Sequence, residues 1–84
     1  MNKDLVTELK KGSSQAFNTL FEKYNGKIYN FSLGYLNDRE EAKEIVQDVF
    51  LKIWNARKDL SEEKSLDSYL FTIAKNTILN TIRK

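Results

Sequence analysis

The 84 residues suffice for one small domain with a hydrophobic core, since 40% are hydrophobic and 31% are charged, with a net charge of +2. The chain contains no cysteine and no histidine, which excludes disulfides, thiolate zinc sites, histidine triads and histidine metal ligands. It has no proline and three glycines, a composition that favours long helices. The N-terminus is charged every few residues, unlike a signal peptide, and no apolar run could cross a bilayer, so we expect a cytoplasmic protein.

The first two helices are predicted from their end signals and their apolar spacing. One covers about residues 3–11 and stops at Gly12, because glycine tolerates the positive φ often found just after a helix. Ser13 or Ser14 then caps a longer helix that continues to about Leu36. Its apolar side chains recur at core spacing along one side: Phe17, Leu20, Phe21, Tyr24, Ile28, Phe31 and Tyr35.

A third helix is predicted to begin at a capping box formed by Asn37 and Glu40, with Asp38 adding a favourable charge to the first turn. It ends near Arg57. One broad apolar stripe follows its inner side: Ala42, Ile45, Val46, Val49, Phe50, Ile53 and Trp54. We expect this stripe to pack on the second and last helices, since the chain offers it no other apolar surface.

The polar segment over residues 58–65 lacks periodicity and is predicted to be a loop. The last helix starts near Leu66, with Ser65 as a possible N-cap, and continues to the C-terminus. Its inner side carries a second apolar stripe: Leu66, Tyr69, Leu70, Ile73, Ala74, Ile78 and Ile82. The predicted fold is therefore all-α, a compact bundle of about four helices.

The outer face of the third helix is the first candidate binding surface. Five side chains share it: Glu40, Glu44, Gln47, Asp48 and Leu51. Carboxylates and an amide around a single leucine suit docking onto a basic helical surface, with the leucine as the desolvated anchor. The alternative is an ordinary solvated face with one stray leucine, because single exposed apolar residues are normal.

The outer face of the last helix is the second candidate. Five polar or basic side chains lie there or at its edge: Thr72, Lys75, Asn76, Asn80 and Arg83. Amides and hydroxyls bond base edges, cations neutralise phosphates, and no acid occurs over residues 68–84 to repel a phosphate. The alternative is again a solvated face, since lysine and arginine are favoured near helix C-termini by the helix dipole.

Catalysis is not expected. The carboxylates lie on exposed faces without forming a paired-acid site, and the chain has neither a glycine-rich phosphate loop nor a nucleophile beside a base. The sequence likewise predicts no cofactor and no metal site.

Two stretches carry a family resemblance when taken together: "DREEAKEIVQDVFLKIW" and, after the polar loop, "SYLFTIAKNTILNTIRK". They resemble region 2 of bacterial RNA polymerase sigma factors, and most of all the extracytoplasmic-function (ECF) group. The earlier stretch "GSSQAFNTLFEKYNGKIYNF" is similar to the aromatic first part of that region. The resemblance covers essentially the whole chain.

The resemblance implies two main partners. The acidic face of the third helix would dock on the coiled-coil clamp helices of the β′ subunit of the RNA polymerase core, with Leu51 at the apolar centre. The last helix and the loop before it would recognise and melt the promoter −10 element and hold non-template-strand bases. An anti-sigma factor is a further expected partner. The implied DNA-binding residues are Lys58, Ser61, Lys64, Thr72, Lys75, Asn76, Asn80, Arg83 and Lys84.

The chain departs from the family pattern in three respects. Lys43 stands where the family is usually acidic, and Asn80 stands where aspartate is often found. Family members normally continue into a second helical domain that binds the −35 element. We therefore expect residues 1–84 to be an isolated region-2 domain that does not support full promoter recognition alone.

Two other functions remain open. In one, both outer faces bind proteins, such as an anti-sigma factor, and never touch DNA. In the other, the chain is a helix-turn-helix protein that binds duplex DNA. The latter ranks lowest, because the loop over residues 58–65 is long for the sharp turn that precedes a recognition helix.

Overall fold

The computed structural model describes residues 2–83, and their side chains from Asp4 onward. Within that range the chain forms α1 (Asn2–Lys10), α2 (Ser14–Leu36), α3 (Arg39–Asn55), a 3₁₀ turn (Arg57–Asp59) and α4 (Leu66–Ile82). The predicted all-α bundle of four helices is confirmed, and no strand occurs in the described part.

One core joins all four helices. α2 packs along both α3 and α4, while α1 lies against the start of α2 and the 3₁₀ turn. Buried side chains from each of the four helices meet in this core, among them Leu9, Leu20, Tyr24, Ile28, Val49, Phe50, Ile53, Leu70 and Ile78. Burial of these apolar stripes stabilises the helices, because a short isolated helix is only marginally stable in water.

Side-chain caps set the starts of three helices. The Ser13 hydroxyl accepts a hydrogen bond from the Ala16 amide at 3.1 Å, and the Ser65 hydroxyl accepts one from Ser68 at 3.3 Å. Both predicted serine caps are confirmed. Each accepts a hydrogen bond from a backbone amide that has no partner within its helix.

The predicted capping box at the start of the third helix is wrong. Asn37 instead ends α2 in the left-handed conformation, with φ of 55°, and its amide donates to the Leu33 carbonyl at 2.8 Å. Asp38 is the N-cap of α3 and accepts a hydrogen bond from the Glu41 amide at 3.0 Å. Asparagine tolerates the left-handed region better than most residues, so it suits the end of a helix as well as the start.

Three side chains predicted to face the core are exposed. Phe21, Tyr35 and Ile82 retain 39%, 48% and 55% of their accessible surface. The buried residues of α2 recur every four positions. Phe21 and Tyr35 lie beside this row of buried residues and not in it. Ile82 is the last residue of α4, one turn beyond Ile78, the last buried residue of that helix.

The end of α3 also differs from the prediction, which placed it near Arg57. The helix ends at Asn55, and Arg57 begins the 3₁₀ turn. The Arg57 guanidinium lies 4.2 Å from the centre of the Trp54 ring and donates to the Trp54 carbonyl at 2.9 Å. The 3₁₀ turn leads into the loop that precedes α4.

No described helix combines the length and the apolar character needed to cross a membrane.

Candidate functional site

The outer face of α3 is exposed, as predicted. Its five predicted side chains are all exposed, and Leu51 retains 58% of its accessible surface. The Glu40 carboxylate lies 3.7 Å from the ammonium group of Lys43, one turn further along the helix. Among the described residues, no cation lies within salt-bridge distance of Glu44 or Asp48. Their charge therefore remains available to a partner. The binding role of this face stays a prediction.

Leu51 is not an isolated apolar residue on a polar face. It borders a cleft of about 240 Å³ between the start of α2 and the end of α3, together with Phe17 and Trp54. Phe17 stands edge to face against Trp54, with ring centres 5.3 Å apart. Sequence reasoning assigned Phe17 and Trp54 to the core and missed this cleft, because the two residues are 37 positions apart.

The outer face of α4 presents the predicted polar set. Thr72, Lys75, Asn76, Asn80 and Arg83 are all exposed, whereas Lys84 lies outside the described residues.

A hydrogen bond joins α4 to α3. Lys52 donates to the Thr77 hydroxyl at 2.8 Å, and Thr77, which is only 4% exposed, donates in turn to the Ile73 carbonyl at 2.7 Å. Burial of Leu70, Ala74 and Ile78 on the opposite side turns the polar face of α4 toward solvent.

A larger cleft opens where the loop meets the start of α4. Its volume is about 460 Å³, within the range of about 300–1,000 Å³ typical of small-ligand sites. The predicted residues Ser61, Lys64 and Thr72 line it. Lys58 does not; it is exposed on the neighbouring 3₁₀ turn. The structure thus brings three of the predicted DNA-binding residues to one opening.

Seven further lining residues were missed by the sequence reasoning, among them Tyr69, Asp59 and Val6. Tyr69 was assigned to the core but is half-buried at the cleft, where Asp59 and Val6 also line the opening. The spacing of Tyr69, three positions before Thr72 on α4, is the signal that places both on one side of a helix. No pattern in the sequence connects Val6 on α1 with a loop more than 50 residues later.

The loop is held in place from both sides. Lys10 on α1 forms a salt bridge with Glu62 at 3.1 Å, and this hydrogen bond holds the pKa of the Glu62 carboxyl below its ordinary value. On the other side, the Tyr24 hydroxyl donates to Asp67 in the first turn of α4. The cleft therefore lies between two anchored segments.

The comparison with known protein families identifies the family of this chain. The family described as Sigma-70 region 2 matches residues 20–84. The chain belongs to this family. The resemblance found in the sequence is thereby confirmed, and the similar proteins include members of the ECF group.

The chain is similar to the RNA polymerase sigma-H factor of Pseudomonas aeruginosa, with 29% identity over 79 residues, which is 94% of this chain and 41% of that protein. It is also similar to the ECF RNA polymerase sigma factor SigW of Bacillus subtilis, with 29% identity over 84 residues, 100% of this chain and 45% of that protein. The chain thus spans less than half the length of these relatives.

A solved structure has the same fold. It is an NMR structure of an engineered region 2 of sigmaE in complex with GTAAAA. It shares 27% sequence identity with this chain and superposes with a TM-score of 0.89, covering 98% of this chain and 85% of that one.

Proposed function

We propose that this domain acts in transcription initiation as the part of a sigma factor that docks on the β′ clamp helices of RNA polymerase core and captures unpaired bases of the promoter −10 element. The observation that carries the proposal is the loop cleft beside the acid-free outer face of α4, in a chain of the sigma-70 region 2 family. Sigma relatives work with RNA polymerase, so the domain is expected to act in the cytoplasm.

Base capture is supported by the chemistry of the cleft. A base that leaves the helical stack needs an aromatic or apolar surface and hydrogen-bonding partners for its edge. Tyr69 and Leu60 supply the aromatic and apolar surface. The hydrogen-bonding partners come from Ser61, Thr72 and Asp59. The Lys64 ammonium at the same opening is suited to the adjoining phosphate.

The free energies of duplex opening and of base stacking are compatible with melting of the promoter by base capture. Opening duplex DNA costs about 1.4 kcal/mol per base-pair step on average. Stacking one base on a protein aromatic ring contributes about 1–3 kcal/mol. Capture of a few bases therefore offsets the cost of opening a similar number of pairs, and no catalytic residue is required. A net charge of +2 gives modest attraction to DNA, so we expect weak, salt-sensitive binding unless the polymerase holds the domain in place.

Docking on polymerase is supported by the outer face of α3. Glu44 and Asp48 have no cationic partner among the described residues, and Leu51 extends beside them into solvent. Such a face complements a basic helix with apolar positions, because the charges steer the encounter and the desolvated leucine contributes affinity. An anti-sigma factor would compete for the same face or for the DNA-binding face of α4.

The test is a binding series with single-stranded GTAAAA and a scrambled strand over a range of salt concentrations. Lys75→Ala should weaken binding to both strands and make the salt dependence shallower, because it removes a phosphate partner. Asn76→Ala should change the preference between the strands and leave the salt slope unchanged, since an amide reads base edges without carrying charge.

The matched control is Lys27→Ala, which removes the same charge from an exposed position on α2 outside both clefts. This variant should show the same preference between the two strands as the parent and nearly the same salt dependence of binding. If Lys75→Ala, Asn76→Ala and a loop variant, Lys64→Ala, all bind as the parent does, the DNA-binding proposal fails and a protein-interaction module becomes the better account.

A further inference from the structure

One carboxylate stands among the neutral and cationic side chains of the larger cleft. Asp59, in the 3₁₀ turn, is exposed and lines the opening together with Lys64 and the hydroxyls of Ser61 and Ser65. In the described part of the chain, no lysine or arginine lies within salt-bridge distance of this carboxylate. An acid at a site for a phosphate-bearing strand repels every strand alike. Any advantage it brings must therefore come from discrimination between bases.

The cleft separates hydrogen-bond donors from an acceptor. The Ser61 hydroxyl oxygen accepts from the Glu63 amide at 3.2 Å, and the Ser65 hydroxyl oxygen accepts from the Ser68 amide at 3.3 Å. Because these bonds use the oxygens as acceptors, each hydroxyl keeps its proton to donate. The ionised carboxylate of Asp59 can only accept. A base in the cleft therefore meets donors from the loop serines and an acceptor from the 3₁₀ turn.

The four DNA bases fit this arrangement unequally. Cytosine, adenine and guanine each carry an exocyclic amino group that can donate to the carboxylate, and a ring nitrogen beside it that can accept from a hydroxyl. Thymine carries two keto oxygens and no amino group. Its single ring N–H lies between those oxygens, so a carboxylate that approaches this N–H also meets their lone pairs.

We propose that Asp59 is a specificity-determining residue, which makes the larger cleft select a captured base that carries an amino group and reject thymine. The inference rests on the proposed capture of promoter bases and adds the chemical class of the captured base. The carboxylate stabilises an amino-bearing base through a charge-assisted hydrogen bond and repels the keto oxygens of thymine. The buried side chains that line the same cleft, Val6, Leu60 and Leu66, offer only apolar contact and distinguish the bases little.

The test compares cytosine with uracil. The two bases have nearly the same size, and uracil has the hydrogen-bonding edge of thymine without its methyl group. Variants of single-stranded GTAAAA carry cytosine or uracil at each position in turn, and fluorescence anisotropy measures their binding at one fixed salt concentration. At the captured position the parent should bind the cytosine strand about fivefold or more tightly than the uracil strand. At the other positions the two strands should bind alike.

Asp59→Asn should remove this preference, because an amide offers both a donor and an acceptor. It should also strengthen binding of the uracil strand, since a repulsive charge is lost. The matched control is Glu63→Gln, which removes the same charge from an exposed position in the neighbouring loop outside both clefts. This control should keep the parent's preference for cytosine. Both variants should unfold within about 4 °C of the parent, as surface changes usually do.

The outcomes separate this inference from the proposed function. If the parent binds GTAAAA more tightly than a scrambled strand but treats cytosine and uracil alike at every position, base capture stands and Asp59 does not select the base. An Asp59→Asn variant that keeps the parent's preference for cytosine also overturns the inference. If the parent binds none of the strands, base capture and its selectivity are both overturned.

Discussion

Phe50 and Leu51 are neighbours in the chain with opposite environments. Phe50 is 2% exposed and stands edge to face against Phe17 and Phe21, whereas Leu51 is 58% exposed. Helical periodicity predicts this difference, because one residue turns the side chain by 100°. The same periodicity overstated the burial of Trp54, which is half-buried because it lies at the edge of the stripe and borders the smaller cleft.

These two residues give a matched pair of stability predictions. Phe50→Ala should reduce the free energy of unfolding by about 3–5 kcal/mol, because it leaves a cavity under two aromatic rings. That loss is a large part of the total expected for a small domain. Leu51→Ala should change it by at most about 0.5 kcal/mol. Urea denaturation of both variants provides the measurement. Equal losses would show that Leu51 contributes to the core and that the assigned helical phase is wrong.

At the scale of the helix, two glycines have opposite roles. Gly12 follows α1 with φ of +87°, a conformation that residues with a Cβ rarely adopt. Gly26 lies inside α2, and a Cβ built there would meet no atom within 4 Å. The first glycine ends a helix because of its conformational freedom, while the second only weakens one.

Gly26→Ala should therefore raise the free energy of unfolding by about 0.5–1 kcal/mol, since alanine has the higher helix propensity and fills open space. Gly12→Ala should lower it by about 1–2 kcal/mol, the cost of forcing a side chain into the left-handed region. Thermal unfolding of the two variants measures both effects. The assignment of the α1 end would be contradicted by a Gly12→Ala variant as stable as the parent.

The loop beside the larger cleft should respond to pH through Glu62. The bond from Lys10 lowers the pKa of this carboxyl below its ordinary value of 4.5. The stabilisation is therefore complete above that ordinary value and is lost as the pH falls through the lowered pKa. Hydrogen exchange of the loop amides at residues 61–64 should accelerate, after correction for intrinsic rates, as the pH falls through the lowered pKa of the Glu62 carboxyl.

Glu62→Gln should abolish this acid-dependent loosening, since the amide does not ionise in that range. Glu63→Gln, one position along the same loop, should retain it. If the loop amides of Glu62→Gln respond to acid as the parent's do, another group controls the loop.

The sequence predicts elements and faces better than it predicts clefts. Helix number and the outer faces of α3 and α4 follow from periodicity, which reports the direction of each side chain from its own axis. The serine caps follow from the residue type at the helix starts. Prediction of either cleft also requires knowledge of which helices lie side by side. One brings Phe17 to Trp54, and the other brings Val6 to Tyr69. Neither pairing leaves a periodic signal, because each joins segments far apart in the chain.

At the scale of the whole molecule, the two clefts are separate. The larger is lined by α1, the loop and α4, the smaller by α2 and α3, and they share no lining residue. α3 and α4 pack against each other and are joined by the hydrogen bond from Lys52 to Thr77. This arrangement predicts that a polymerase helix and a promoter strand bind at the same time.

The most direct test is an amide NMR titration of the labelled domain with single-stranded GTAAAA, followed by the β′ clamp-helix fragment in the same sample. We predict that the strand shifts the loop amides at residues 58–65 and those on the outer face of α4. The fragment should then shift the outer face of α3 and the start of α2, while the first set of shifts persists. Strand-induced shifts centred on Glu44 and Leu51, or release of the strand when the fragment is added, would contradict two independent surfaces.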